Sequence, residues 1–101
     1  MPTIDYKQAL FEDLQDLTYA AGYLTAALEE GEDMFLLAVR DVVQAQGGMA
    51  ALSEATNLNR ENLYSMLSKD GNPRLSSLTA ILDNLGLEIK FAPKFDKPDA
   101  A

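Results

Sequence analysis

Residues 49–68, MAALSEATNLNRENLYSMLS, constrain the fold more than any other stretch of the chain. Two short helical patterns flank the tripeptide Asn57-Leu58-Asn59. On the first, Leu52 and Ala55 are expected to face inward, and Ser53 is small where a crossing helix must come close. On the second, Leu63, Met66 and Leu67 recur at helical spacing, with Leu58 just ahead of them to plug the core. So short a link reverses the chain only if one residue turns left-handed. Asn57 stands at that point, and Asn is the best non-glycine residue for such a backbone. Asn59 is placed to cap the second helix, read as residues 60–69, and Glu61 suits the positive end of its dipole. The pattern is a helix-turn-helix over residues 49–68.

The rest of the chain also reads as helix. Residues 5–17 place Tyr6, Leu10, Phe11, Leu14 and Leu17 on one face. Thr18 is expected to cap the next helix, whose stripe is Tyr19, Ala20, Tyr23, Leu24, Ala27 and Leu28, and Gly31 ends it. Asp33 opens a third helix, apolar around most of its circumference and therefore central, which Gly47 and Gly48 stop. The sequence DGNP at residues 70–73 is a turn. After it, Leu75, Leu78, Ile81, Leu82 and Leu85 line one helical face and Gly86 closes the helix. LEIKFAP, residues 87–93, alternates apolar and charged side chains and reads as a short strand ended by Pro93. The expected fold is all-α, of five to six helices, with a short C-terminal β-strand. Its expected division is a helical arm over residues 1–31, a helix-turn-helix domain over 32–93 and a polar tail over 94–101.

Composition removes whole classes of chemistry. A chain of 101 residues suits one compact domain. With no cysteine there is no disulfide and no thiolate metal site, and with no histidine the commonest base and metal ligand is missing. Asp13, Asp16, Glu29, Glu30 and Asp33 sit on polar faces and turns, where solvated charge explains them. No phosphate loop, nucleophile elbow or metal-ligand spacing occurs, so neither an enzyme nor a cofactor is expected. The longest apolar run, MFLLAV, is far short of a membrane span, and the first residues show no signal-peptide pattern. A cytoplasmic protein is expected.

The formal charge of -8 is unevenly placed. Residues 1–58 hold two basic side chains, Lys7 and Arg40, against ten acidic ones, whereas residues 59–101 balance to zero. Binding follows the local field, so the overall acidity does not exclude an anionic partner for the second half. The outer face of the second motif helix carries Arg60, Glu61, Tyr64, Ser65, Ser68 and Lys69, with Asn62 near its edge. Short or flat hydrogen-bonding side chains with two cations are what a DNA major groove takes; a merely solvated face is the alternative. On the first reading Arg60, Asn62, Tyr64 and Ser65 reach base edges or adjacent phosphates. Ser68, Lys69, Asn72 and Arg74 contact the DNA backbone. So few cations per subunit imply a dimer on two half-sites.

The run GGMAALSEATNLNRENLYSMLSKDGNPRLSSLTAILDNLGLEIKF resembles the Xre/Cro-type helix-turn-helix antitoxins of bacterial type II toxin–antitoxin modules. It is most similar to the HigA-like addiction module antidotes. The LYSMLSKDGNP block, the leucine-patterned helix after it and the NLGLEIKF ending carry the resemblance, and YLTAALEEGEDMFLLAVRDVVQAQGG extends it N-terminally. It covers about residues 15–92. Asn57 replaces the usual Gly, and Arg74 stands where many such domains place a capping Ser or Thr. The resemblance implies a lambda-repressor/Cro-like domain with two roles. Such antitoxins neutralise a small basic RelE/ParE-like (HigB-type) toxin by direct binding, and repress their own operon as a DNA-binding homodimer. An acidic, helical first half suits a basic partner, although taken without the resemblance a solubilising surface is the better account of it. Tyr6, Phe11, Leu14, Tyr19 and Tyr23 are the candidate toxin contacts. Leu87, Ile89 and Phe91 either form a dimer contact by strand pairing or close the core. The alternative function is a stand-alone repressor without a toxin partner.

Overall fold

The computed structural model describes residues 5–94. They form six helices: α1 Tyr6–Asp13, α2 Leu17–Glu30, α3 Glu32–Ala45, α4 Met49–Thr56, α5 Arg60–Met66 and α6 Leu75–Asn84. Helix α3 is the hub, with α1, α2 and α4 packed against it. It buries Leu36, Ala38, Val39, Val42 and Val43, a stripe wide enough to face several neighbours. Ala20, Leu24 and Ala27 of α2, Met49 and Leu52 of α4, Leu63 of α5, and Ile81 and Leu82 of α6 complete the core. Leu14, Leu67 and Leu85, each just past the end of a helix, join the same cluster. No described polar side chain is buried, so the core needs no internal hydrogen bonds.

Several helix ends differ from the sequence expectation. α1 stops at Asp13, and the Asp16 carboxylate, accepting from the Thr18 N–H at 2.9 Å, caps α2 in place of Thr18. The Asp16 carboxylate, two residues earlier, reaches the free Thr18 amide directly. The Gln46 side-chain amide then donates to the Leu14 and Gln15 carbonyls at 3.0 and 3.3 Å, tying this break to the end of α3. α5 ends at Met66 instead of Lys69, because the turn that follows folds back onto its last carbonyls.

Expected inward positions also differ, Leu17 and Leu28 being exposed along with two others. Ala55 is exposed, since α4 needs only Met49 and Leu52 to seat itself. Leu75 is 69 % exposed: it is the first residue of α6 and lies beyond the packed stripe of that helix.

The expected β-strand is absent from the described residues; residues 87–93 take no regular structure. A strand exists only as half of a pair, and the described residues offer it no neighbour. At its start, Gly86 (φ 84°) ends α6 with two backbone bonds, Gly86 N–H to the Asp83 carbonyl at 3.0 Å and Leu87 N–H to the Leu82 carbonyl at 2.8 Å. Leu87 thereby packs against the core, while Ile89 and Phe91 are exposed.

The left-handed turn at Asn57 is present, with φ 61° and ψ 15°. Asn57→Ala should destabilise the chain by ~1 kcal/mol, and Asn57→Gly should match or exceed wild type. Urea midpoints of the three proteins check this; equal midpoints for Ala and Gly would mean that the turn relaxes out of the left-handed region.

Candidate functional site

The α4–turn–α5 unit is fixed by short polar side chains. The Ser53 hydroxyl donates to the Leu58 carbonyl at 2.6 Å, so its role is to hold the turn as well as to leave room. The Thr56 hydroxyl donates to the Leu52 carbonyl at 2.7 Å and accepts from the Leu58 N–H at 3.3 Å. The Asn59 side-chain oxygen accepts from the Glu61 and Asn62 N–H groups at 2.8 and 3.1 Å, which caps α5. Leu63 and Leu67, both fully buried, press α5 onto the core.

The opposite face of α5 is left to solvent. Arg60, Glu61, Asn62 and Ser65 are exposed on it, and Lys69, Asn72 and Arg74 are exposed in the turn beyond. Among the described residues one ion pair lies within 4 Å, between Lys90 and Glu88, so Arg60, Lys69 and Arg74 hold no internal carboxylate. Arg74 is the N-cap residue of α6 and makes no capping bond, which leaves its side chain to point elsewhere.

Two residues are placed differently from the sequence expectation. Tyr64 is half-buried and packs against the core, with the Arg40 guanidinium 5.1 Å from its ring centroid. Ser68 spends its hydroxyl proton on the Ser65 carbonyl at 2.8 Å, closing the end of α5. The sequence marks Arg40 only as one of two cations in the first half of the chain and gives it no role in the site. Its signal was available: it is the lone cation of an otherwise apolar and acidic helix.

Gly71 is the other residue whose importance only the structure reveals. A Cβ there would lie 2.1 Å from the Met66 carbonyl oxygen and 2.9 Å from that of Ser65. The turn carrying Asn72 and Arg74 is thus set directly against the end of α5.

The candidate toxin contacts divide into three kinds. Tyr6 (84 %) and Tyr19 (46 %) are exposed. Phe11 is half-buried beneath the Lys7 ammonium, 5.8 Å from its ring centroid. Tyr23 is half-buried, and its hydroxyl donates to the Asp41 carboxylate at 2.7 Å. Burial first, and then the bond to Asp41, hold the Tyr23 hydroxyl well above the usual phenol range. Leu14 has no exposed surface and belongs to the core, so it is unavailable to a partner of the folded chain. A groove beside α2 and α3, lined by Tyr23, Met34, Leu37 and Asp41, also includes Arg40, whose guanidinium stands over the Tyr64 ring.

Among the described residues no cluster of carboxylates is placed to hold a metal, and no helix is long and apolar enough to cross a membrane. A family model described as probable addiction module antidote protein matches residues 6–93. No curated protein and no solved structure matches the chain.

Proposed function

The chain belongs to the family of probable addiction module antidote proteins, and from that premise we propose that it is an antitoxin. It neutralises a small basic protein toxin, of the RelE/ParE-like class, by direct binding. It also represses its own operon as a dimer, with α5 in the major groove of operator DNA. The observation that carries the first role is the family match, which spans residues 6–93. The second rests on the α5 face, where Arg60, Asn62 and Ser65 are exposed and unpaired on a helix held rigidly from behind. The acidic α1–α3 half would meet the basic toxin, with Tyr6 and Tyr19 as the exposed aromatic anchors. Phe11 and Tyr23 would contribute the edges of their rings. A repressor without a toxin would use the same α5 face, and no feature of the fold favours it over the dual role.

Co-expression with the adjacent reading frame tests the antitoxin role. A toxic neighbour rescued by this chain is the expected result, and a harmless neighbour would leave the stand-alone repressor. For the DNA role, Arg60→Ala should weaken operator binding by about 1–3 kcal/mol in a gel-shift titration, with stability unchanged. Unaltered affinity would remove Arg60 from the interface. Tyr64 is expected to act mainly by packing, so Tyr64→Phe should retain operator affinity.

A further inference from the structure

Arg40 is the one cation of α3, and nothing on its own helix answers it. The residues three and four positions away, Leu36, Leu37, Val43 and Gln44, carry no charge. The next residue, Asp41, accepts the Tyr23 hydroxyl at 2.7 Å. Among the described residues the single ion pair within 4 Å joins Lys90 to Glu88, so Arg40 meets no carboxylate at that distance. Its guanidinium lies instead 5.1 Å from the centroid of the Tyr64 ring on α5. An aromatic face holds a cation in place without cancelling its charge. Arg60 stands one turn ahead of Tyr64, so Arg40 lies beside the flank of α5 that begins with Arg60.

We propose that Arg40 is a phosphate contact of the DNA interface, set against α5 by Tyr64. The inference deepens the DNA-binding reading given above and rests on it. A helix with its side chains is about 10–12 Å across. The major groove is about 12 Å wide, so a helix lying in it fills the width. Groups carried just beyond the flanks of that helix then face the phosphates of the groove wall. Arg40 is such a group, reaching the flank of α5 from a different helix. A guanidinium fork matches a phosphate bidentately, and a ring beneath it leaves the N–H donors unspent. Arg60, Lys69 and Arg74 are the exposed cations of α5 and the turn after it, and Arg40 adds one more from the otherwise acidic half of the chain.

Salt titrations separate a phosphate contact from a brace. The full chain is titrated by fluorescence anisotropy against two duplexes of equal length, one from the region upstream of its own operon and one of unrelated sequence. Potassium chloride is varied from about 50 to about 200 mM. Arg40→Gln should weaken binding to both duplexes by the same factor. It should also lower the slope of log affinity against log salt by about 1 for each subunit bound. Arg40→Met, a second neutral variant that keeps an apolar stem over the ring, should do the same, and Arg40→Lys should keep the wild-type slope. Arg60→Ala should differ in kind, losing more affinity for the upstream duplex than for the unrelated one. Circular dichroism checks that each variant is folded. Neutral variants with the wild-type salt slope overturn the proposal, whatever their affinity, because Arg40 then only fastens α3 to α5. Loss confined to the upstream duplex overturns it as well. If Arg60→Ala loses operator affinity while both neutral Arg40 variants bind like wild type, the DNA reading stands and this contact falls. A wild-type chain that binds neither duplex sinks both.

Discussion

A chain beginning at Glu32 is expected to lose its cooperative fold. Residues before that point look like an appendage in sequence, yet they bring Leu14, Ala20, Leu24 and Ala27 into the single core cluster. α2 makes extensive contact with α3, so removing it also strips cover from the central helix. Burying each Leu is worth about 1.5–3 kcal/mol. With the uncovered α3 residues added, the loss approaches the whole stability of a small domain, about 5–15 kcal/mol. Urea titration followed by far-ultraviolet circular dichroism should show no cooperative transition for the truncated chain. A sharp transition would show instead that residues 32–93 form an independent domain with α1 and α2 as an arm. One practical consequence concerns the toxin. Loss of neutralisation by such a truncation reports unfolding, so the toxin surface has to be probed by substitution. Tyr6→Ala with Tyr19→Ala changes only exposed rings and should impair neutralisation with the transition midpoint retained.

Gly71→Ala is expected to be the most damaging single-methyl change in the chain. The added carbon would stand 2.1 Å from the Met66 carbonyl oxygen and 2.7 Å from its carbon, and both belong to backbone that cannot rotate aside. The turn must therefore move away from the end of α5, breaking the Gly71 N–H bond to the Ser68 carbonyl, 2.9 Å. Overpacking of this kind typically costs about 1–3 kcal/mol, and a backbone clash lies at the upper end. Asn72 and Arg74 move with the turn, so on the proposed DNA-binding role operator affinity should fall together with stability. Gly22→Ala is the control. Nothing lies within 4 Å of a Cβ at Gly22, which faces open solvent in the middle of α2, so alanine there should stabilise by up to ~1 kcal/mol. Equal urea midpoints for Gly71→Ala and wild type would mean that the turn does not fold against α5.

Much of the architecture is legible locally. The left-handed Asn57, the Asn59 cap, the Gly31 junction and the Gly86 stop are each dictated by a backbone or hydrogen-bonding property of one residue. The leucine patterns that place Leu52, Leu63, Leu67, Ile81 and Leu82 inside need only helical periodicity. The candidate α5 face was readable for the same reason: a side chain pointing away from Leu63 and Leu67 points to solvent.

The misreadings have a shared cause. Leu75 and Ala55 sit on the correct helical stripe but past the edge of the neighbouring helix, and a stripe does not record where its cover ends. Tyr64 lies on the outer face by periodicity, but its ring is half-buried with Arg40, 24 positions earlier in sequence, over it. Leu14 shares a helical stripe with exposed aromatic residues, yet it is fully buried in a core assembled from helices distant in sequence. Residues 87–93 have the alternation of a strand but no neighbour among the described residues, and a ladder is a property of two paired strands.

The sequence by itself thus determined the order of the helices, the turn between α4 and α5, and most of the side chains that α5 can present. These follow from torsional preferences, caps and periodicity, which act within a few residues. Only the tertiary structure decided that α2 is part of the core, that Gly71 locks the turn against α5, and that Arg40 links α3 to Tyr64. Each of those depends on which surfaces meet, and steric fit between segments far apart in the chain is not written in the spacing of either one.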